Sequence, residues 1–126
     1  MSSSIRTLFQ KRSYDVCANL RKRGSDLVVF CHGLGCSKNS FLSPFTAPEF
    51  ESYSLVAPDF LGFGESAKPD TGDFSYSLED HAAILSEIIL GIPCEHIHIV
   101  AHSFGASSRS ASRSRNPKMI SERIAA

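Results

Sequence analysis

The chain has 126 residues, of which 42% are hydrophobic and 21% charged, a balance that fits one small globular domain with a modest core. Thirteen Lys/Arg offset thirteen Asp/Glu, so net charge gives no ground for a nucleic-acid partner, and no apolar stretch reaches the ~20 residues that span a bilayer. Charge is nevertheless uneven: residues 1–23 carry six Lys/Arg against one acid, residues 24–105 two against eleven, and residues 106–126 five against one.

The basic ends read as solvated, loosely packed segments, with a polyanion-contacting arm as the alternative. "MSSSIRTLFQKR" lacks an apolar signal-peptide core; being acid-free and containing Ser and Arg, it offers a weak organellar leader as the alternative to a cytoplasmic protein. Cysteines at 17, 31, 36 and 94 form no C-x-x-C pair, so neither a zinc site nor a redox motif is signalled. Cys31 sits in an apolar run and reads as a buried thiol. No metal or other cofactor is expected.

In chain order, residues 5–23 hold two weak strands, near Thr7–Lys11 and Asp15–Leu20, and "RKRGSD" follows as a turn. "LVVF" (27–30) is a continuous apolar run, as in a strand buried on both faces of a parallel sheet, and "HGLG" breaks it. "SLVAPDF" (54–60) repeats the design, closed by the glycine turn "LGFGES". Ser77 starts a helix in a motif resembling a capping box with Asp80. Leu78, Ala82, Leu85 and Ile89 form its apolar face, and Gly91 and Pro93 end it. "IHIVA" (97–101) is a third buried strand and "HSFG" its turn. The alternation predicts an α/β domain with a mostly parallel sheet flanked by helices.

"AHSFG" sets Ser103 between Ala101 and Gly105. A serine on a sharp strand-to-helix turn needs small residues two positions to either side, where larger side chains would collide. "HGLG" (His32–Gly35) supplies a glycine loop whose backbone N–H groups can face a developing oxyanion; the candidate donors are Leu34 and Phe104. His32, Gly33 and Gly35 support that loop. "GFGESA" (62–67) formally matches a dinucleotide fingerprint, but Pro69 and Gly72 follow where a helix would have to begin. His96 and His98 alternate along a strand, and two ligands make no metal site. His102 abuts Ser103, and its side chain diverges from the hydroxyl at such a turn. His81 reads as a surface or packing residue.

"VVFCHGLG", "APDFLGFGES", "YSLEDHAAIL" and "IHIVAHSFG" resemble, in order and spacing, the α/β-hydrolase superfamily, in its serine esterase, lipase and peptidase branch. The resemblance runs from about Leu27 to Gly105. It implies that Ser103 is the nucleophile, that the Leu34 and Phe104 amides form the oxyanion hole, and that "DFLGFGES" is a structural loop. Dehalogenase and epoxide-hydrolase relatives usually carry Asp where this chain has Ser103. The implied reaction is hydrolysis of a small carboxylic ester through an acyl-enzyme on Ser103.

The family's chain order is Ser, then Asp or Glu, then His. Residues 104–126 hold no His and no Asp, and Glu122 is their one acid. "SSRSASRSR" (107–115) also lacks the apolar stripe of the helix expected after the nucleophile. "NPKMIS" then resembles the lead into the next strand. The expected division is residues 1–26 as N-terminal strands and basic arm, 27–105 as the hydrolase core segment and 106–126 as an atypical tail. That tail reads as a frame slip, an alternative exon or the end of a truncated gene, with a phosphorylatable or RNA-contacting run as the alternative. The expectation is an incomplete or inactive N-terminal half of a serine hydrolase fold, truncated after the nucleophile turn. A non-catalytic binding or regulatory fragment, self-associating through an exposed sheet edge, is the alternative.

Overall fold

A computed structural model describes residues 2–33 and 35–101, together with the backbone of residues 119–124. Six strands build one sheet: β1 (Ser2–Phe9), β2 (Arg12–Arg21), β3 (Asp26–Cys31), β4 (Ser54–Pro58), β5 (His96–Ala101) and β6 (Met119–Ile124). Their order is β1-β2-β4-β3-β5-β6. β1 pairs antiparallel with β2, and β2 with β4. β3 lies parallel to both β4 and β5, and β5 parallel to β6. The predicted α/β architecture with a mostly parallel sheet is therefore present.

Alternation along the strands explains the continuous apolar runs. Leu27, Val29 and Cys31 of β3, Val56 of β4 and Ile97, Ile99 and Ala101 of β5 face α1 (Leu78–Leu90), meeting Ile84, Leu85, Ile88 and Ile89. Val28 and Phe30 of β3, with Leu55 and Ala57 of β4, face the other way. There Phe41, Phe45, Phe50 and Tyr53 of the long β3–β4 connection cover them. That connection is built from three short 3-10 turns, Lys38–Phe41, Ser43–Phe45 and Pro48–Phe50. A strand covered on both faces has no use for polar side chains, so its sequence loses the period-2 pattern.

The N-terminal strands differ from expectation. The first runs from Ser2 to Phe9 and the second from Arg12 to Arg21, so the tip falls at Gln10–Lys11. Both tip residues take positive φ, 47° and 68°, which matches the twist of a two-residue hairpin. No glycine or asparagine marks it in the sequence. The basic N-terminal segment is not a loosely packed end: it is part of the sheet, and Val16 and Ala18 are fully buried.

Helix α1 begins as expected, with Ser77 Oγ accepting the Asp80 N–H at 3.1 Å. The reciprocal half of the box goes elsewhere: Asp80 accepts from the Ser75 N–H (3.1 Å) and Ser75 hydroxyl (2.6 Å). Leu78, expected on the buried face, is 42% exposed; burial on that face begins one turn later, at His81 and Ala82.

Candidate active site

The site's frame follows from one register. Cys31 of β3 pairs with Ala101 of β5 in a parallel ladder. The ends of β3 and β5 therefore lie side by side, at the same end of the sheet. Ligand sites in open parallel sheets lie at this carboxyl end. His32, Gly33 and Ala101 are buried there, and Gly35 is exposed with a φ of 77° that suits glycine. Ser103, Leu34, Phe104 and Gly105 lie outside the described residues, as does His102.

His32 is fixed by two hydrogen bonds. The Phe60 N–H lies 3.0 Å from Nε2, and the Gly33 carbonyl 2.8 Å from Nδ1. An amide N–H donates and a carbonyl accepts, so Nε2 is the acceptor and Nδ1 carries the proton. Burial lowers the His32 pKa, opposed by the Gly33 carbonyl and the Asp59 charge. The ring is thus a neutral strut joining the loop after β3 to the segment after β4. With both nitrogens engaged it has no lone pair left for base catalysis.

A second strut was not legible in the sequence. Lys38 and Asp59 are buried, with side chains 4% and 0% exposed, and Lys38 Nζ lies 3.2 Å from Asp59 Oδ2. Asp59 also accepts from the backbone N–H groups of Lys38 (2.6 Å) and Glu65 (2.9 Å). Lys38 Nζ donates to Glu65 at 2.6 Å, and that bond is the main reason its pKa is raised. The Asp59 carbonyl accepts from Ser66 Oγ at 2.5 Å, and that hydroxyl accepts the Cys17 N–H at 2.8 Å. Three segments meet here: the loop after β3, the turn after β4, and β2. A lysine in a polar loop is ordinarily solvated, so nothing in "CSKNS" marks it as buried.

"GFGES" makes this packing possible. Gly64 has a φ of 53°, and a Cβ there would overlap the Asp59 carboxylate. The turn wraps an acid, with no helix behind it; the next helix starts at Leu78. Cys17, Asp59 and Glu65 bring ligand atoms within 4.8 Å of one another. The Lys38 ammonium already supplies the positive charge in that cluster, so its donor set does not fit a metal ion.

His81, expected on the surface or in packing, is packed: it is 1% exposed, with Phe60 and Phe74 ring centroids at 5.4 and 5.1 Å. Burial, then the neighbouring His32, pushes its pKa down to about 4. His96 is half-exposed and 3.1 Å from Asp26. The His98 ring stands edge-on to Tyr53 at 6.1 Å. Neither joins a cluster suited to a metal among the described residues. All four cysteines are thiols, and Cys31 is buried as expected.

Comparison with known proteins gives the frame a family. Residues 26–107 match the family described as alpha/beta hydrolase fold. A probable lysophospholipase, BODYGUARD 2 of Arabidopsis thaliana, is 32% identical over 105 residues, covering 79% of this chain and 22% of that protein. Lipase 1 of Psychrobacter immobilis is 34% identical over 95 residues, 74% of this chain and 28% of that protein. The structure of the epoxide hydrolase CorEH superposes with a TM-score of 0.76 at 20% identity, over 98% of this chain and 42% of that one. The chain thus spans about a fifth to two-fifths of the lengths of these three proteins. Matched family and strand order agree: the chain belongs to the α/β-hydrolase fold family.

Proposed function

We propose that this chain carries the nucleophile-bearing half of a serine ester hydrolase. Ser103 attacks the carbonyl of a small carboxylic ester, and the Leu34 and Phe104 N–H groups stabilise the resulting oxyanion. The observation that carries the reading is the Cys31–Ala101 register, which sets side by side the ends of the two strands that precede "HGLG" and "HSFG" in the sequence. The lipase and lysophospholipase names of its relatives support the substrate class. Oxyanion-hole donors contribute about 3–4 kcal/mol each to such reactions.

The attacking hydroxyl also needs a general base oriented by an acid. Residues 104–126 contain neither His nor Asp. His32 has both nitrogens engaged, and His81, with a pKa of about 4, is a poor proton acceptor. These 126 residues alone are therefore expected to turn over little ester. A role in binding rather than catalysis is the second reading, favoured by the same missing base.

A fluorophosphonate probe with p-nitrophenyl acetate tests both statements. The expected result is slow labelling that disappears in Ser103→Ala, without sustained ester turnover. Labelling that persists in Ser103→Ala would remove the serine assignment. Rapid Ser103-dependent turnover would overturn the low activity.

A further inference from the structure

The basic N-terminal segment divides into two populations. Arg6 pairs with Asp15, and Arg12 with Asp73. Arg21, Lys22 and Arg23, at the turn from β2 into β3, have no carboxylate within ion-pair distance among the described residues. Two of the three converge on one cavity of about 290 Å³, lined by Arg21, Arg23, Phe45, Thr46, Pro48 and Glu51, with Ala47 between.

Backbone carbonyls set the geometry. The Arg21 guanidinium donates to the carbonyls of Phe45 at 2.9 Å and Tyr53 at 3.2 Å, and also to that of Phe50. Arg23 donates to the Glu51 carbonyl at 3.1 Å. These bonds orient both forks without neutralising either, since a carbonyl carries no net charge. Burial, then the charge of Arg23, lowers the Arg21 pKa, opposed by the charge of Glu51. Glu51 lines the same space without forming an ion pair, leaving the cavity positive.

The cavity lies at the end of the sheet where β4 begins, opposite the end where Ala101 closes β5. Arg21 pairs with Leu55 near the start of β4, whereas Ser103 follows the end of β5. We propose that the Arg21–Arg23 turn and the loop from Phe45 to Glu51 form a binding site for a phosphate group. Arg21, its Nη groups already held by carbonyls, contributes mainly charge, and Arg23 has donors to spare; two such charges suit a phosphate dianion better than a singly charged carboxylate. Phe45, Ala47 and Pro48 line the same space and offer contacts for the organic part of a phosphate ester.

Isothermal titration of the chain with inorganic phosphate, into the tens of millimolar, tests this. One saturable site is expected, weakened about tenfold in Arg23→Gln for the loss of a charge-assisted bond. Glu51→Gln should bind phosphate more tightly, a change of opposite sign that a merely structural loop would not produce. Arg23 and Glu51 are both exposed, so circular dichroism is expected to stay native. Absence of saturable binding, or equal affinity in wild type and Arg23→Gln, would overturn the site. Co-sedimentation with phosphatidylcholine vesicles containing phosphatidic acid separates the sources. Arg23-dependent pelleting assigns a lipid headgroup; retained phosphate binding without pelleting assigns a soluble phosphate ester.

Discussion

Two ion pairs in this molecule contrast in a way that distance alone would misjudge. Arg6 and Asp15 face each other across the hairpin at 2.7 Å, with side chains 70% and 55% exposed. Lys38 and Asp59 are farther apart, at 3.2 Å, yet almost wholly withdrawn from water. The shorter pair is the weaker stabiliser, because water screens it and two long side chains lose freedom to form it. The buried pair holds two loops together, and neither partner has solvent to fall back on.

The largest effect should come from breaking the buried pair on one side. Lys38→Met leaves the Asp59 carboxylate buried without its cation and should cost about 3–5 kcal/mol. Adding Asp59→Asn should recover part of that loss. Urea unfolding of both variants checks the pair, and an unchanged midpoint in Lys38→Met would contradict the burial of this charge.

Acid should act next, through the buried imidazoles. Folded His81 takes up a proton only near pH 4, whereas in the unfolded chain it does so near its ordinary 6.5. The unfolded state therefore binds more protons between those values, and stability falls as pH drops. The His81 contribution is complete above about pH 6.5 and loses about 3 kcal/mol by pH 4. The lowered pKa of His32 works in the same direction. Unfolding free energies between pH 7 and 4.5 should fall less steeply in His81→Gln; an identical slope would remove His81 from the account.

The smallest effect belongs to the exposed pair. Arg6→Ala should change stability by less than about 1 kcal/mol, and less still in high salt. A larger loss would mean that the hairpin depends on this contact more than on Val16 and Ala18 beneath it.

Much of the frame could be read from the residues because it rests on local rules. "LVVF" is apolar throughout because both its faces are covered, and Ser77 caps a helix because its hydroxyl meets an orphan N–H. The hairpin tip was missed because Gln10 and Lys11 adopt positive φ without the usual glycine or asparagine. Lys38 was missed for a different reason. Its partners come from positions 59 and 65, brought together by strand order that no local pattern encodes. His81 reads only as surface or packing from its place on the helix, because the aromatic rings around it come from two separate segments, 60–63 and 74–76.

Strand order also imposes an order of difficulty on assembly. The hairpin joins positions as close as Phe9 and Arg12, so it closes a short loop. β3 meets β4 across 27 positions, from Leu27 to Ser54, and meets β5 across 70, from Asp26 to His96. Each doubling of separation adds about 0.6 kcal/mol of chain entropy to closure, before any ladder bond repays it. The β3–β5 contact that brings Cys31 beside Ala101 is therefore among the most entropically demanding in the sheet. A nascent chain must extend well past its middle before that pairing exists, and until then the apolar edge of β3 is open to other strands.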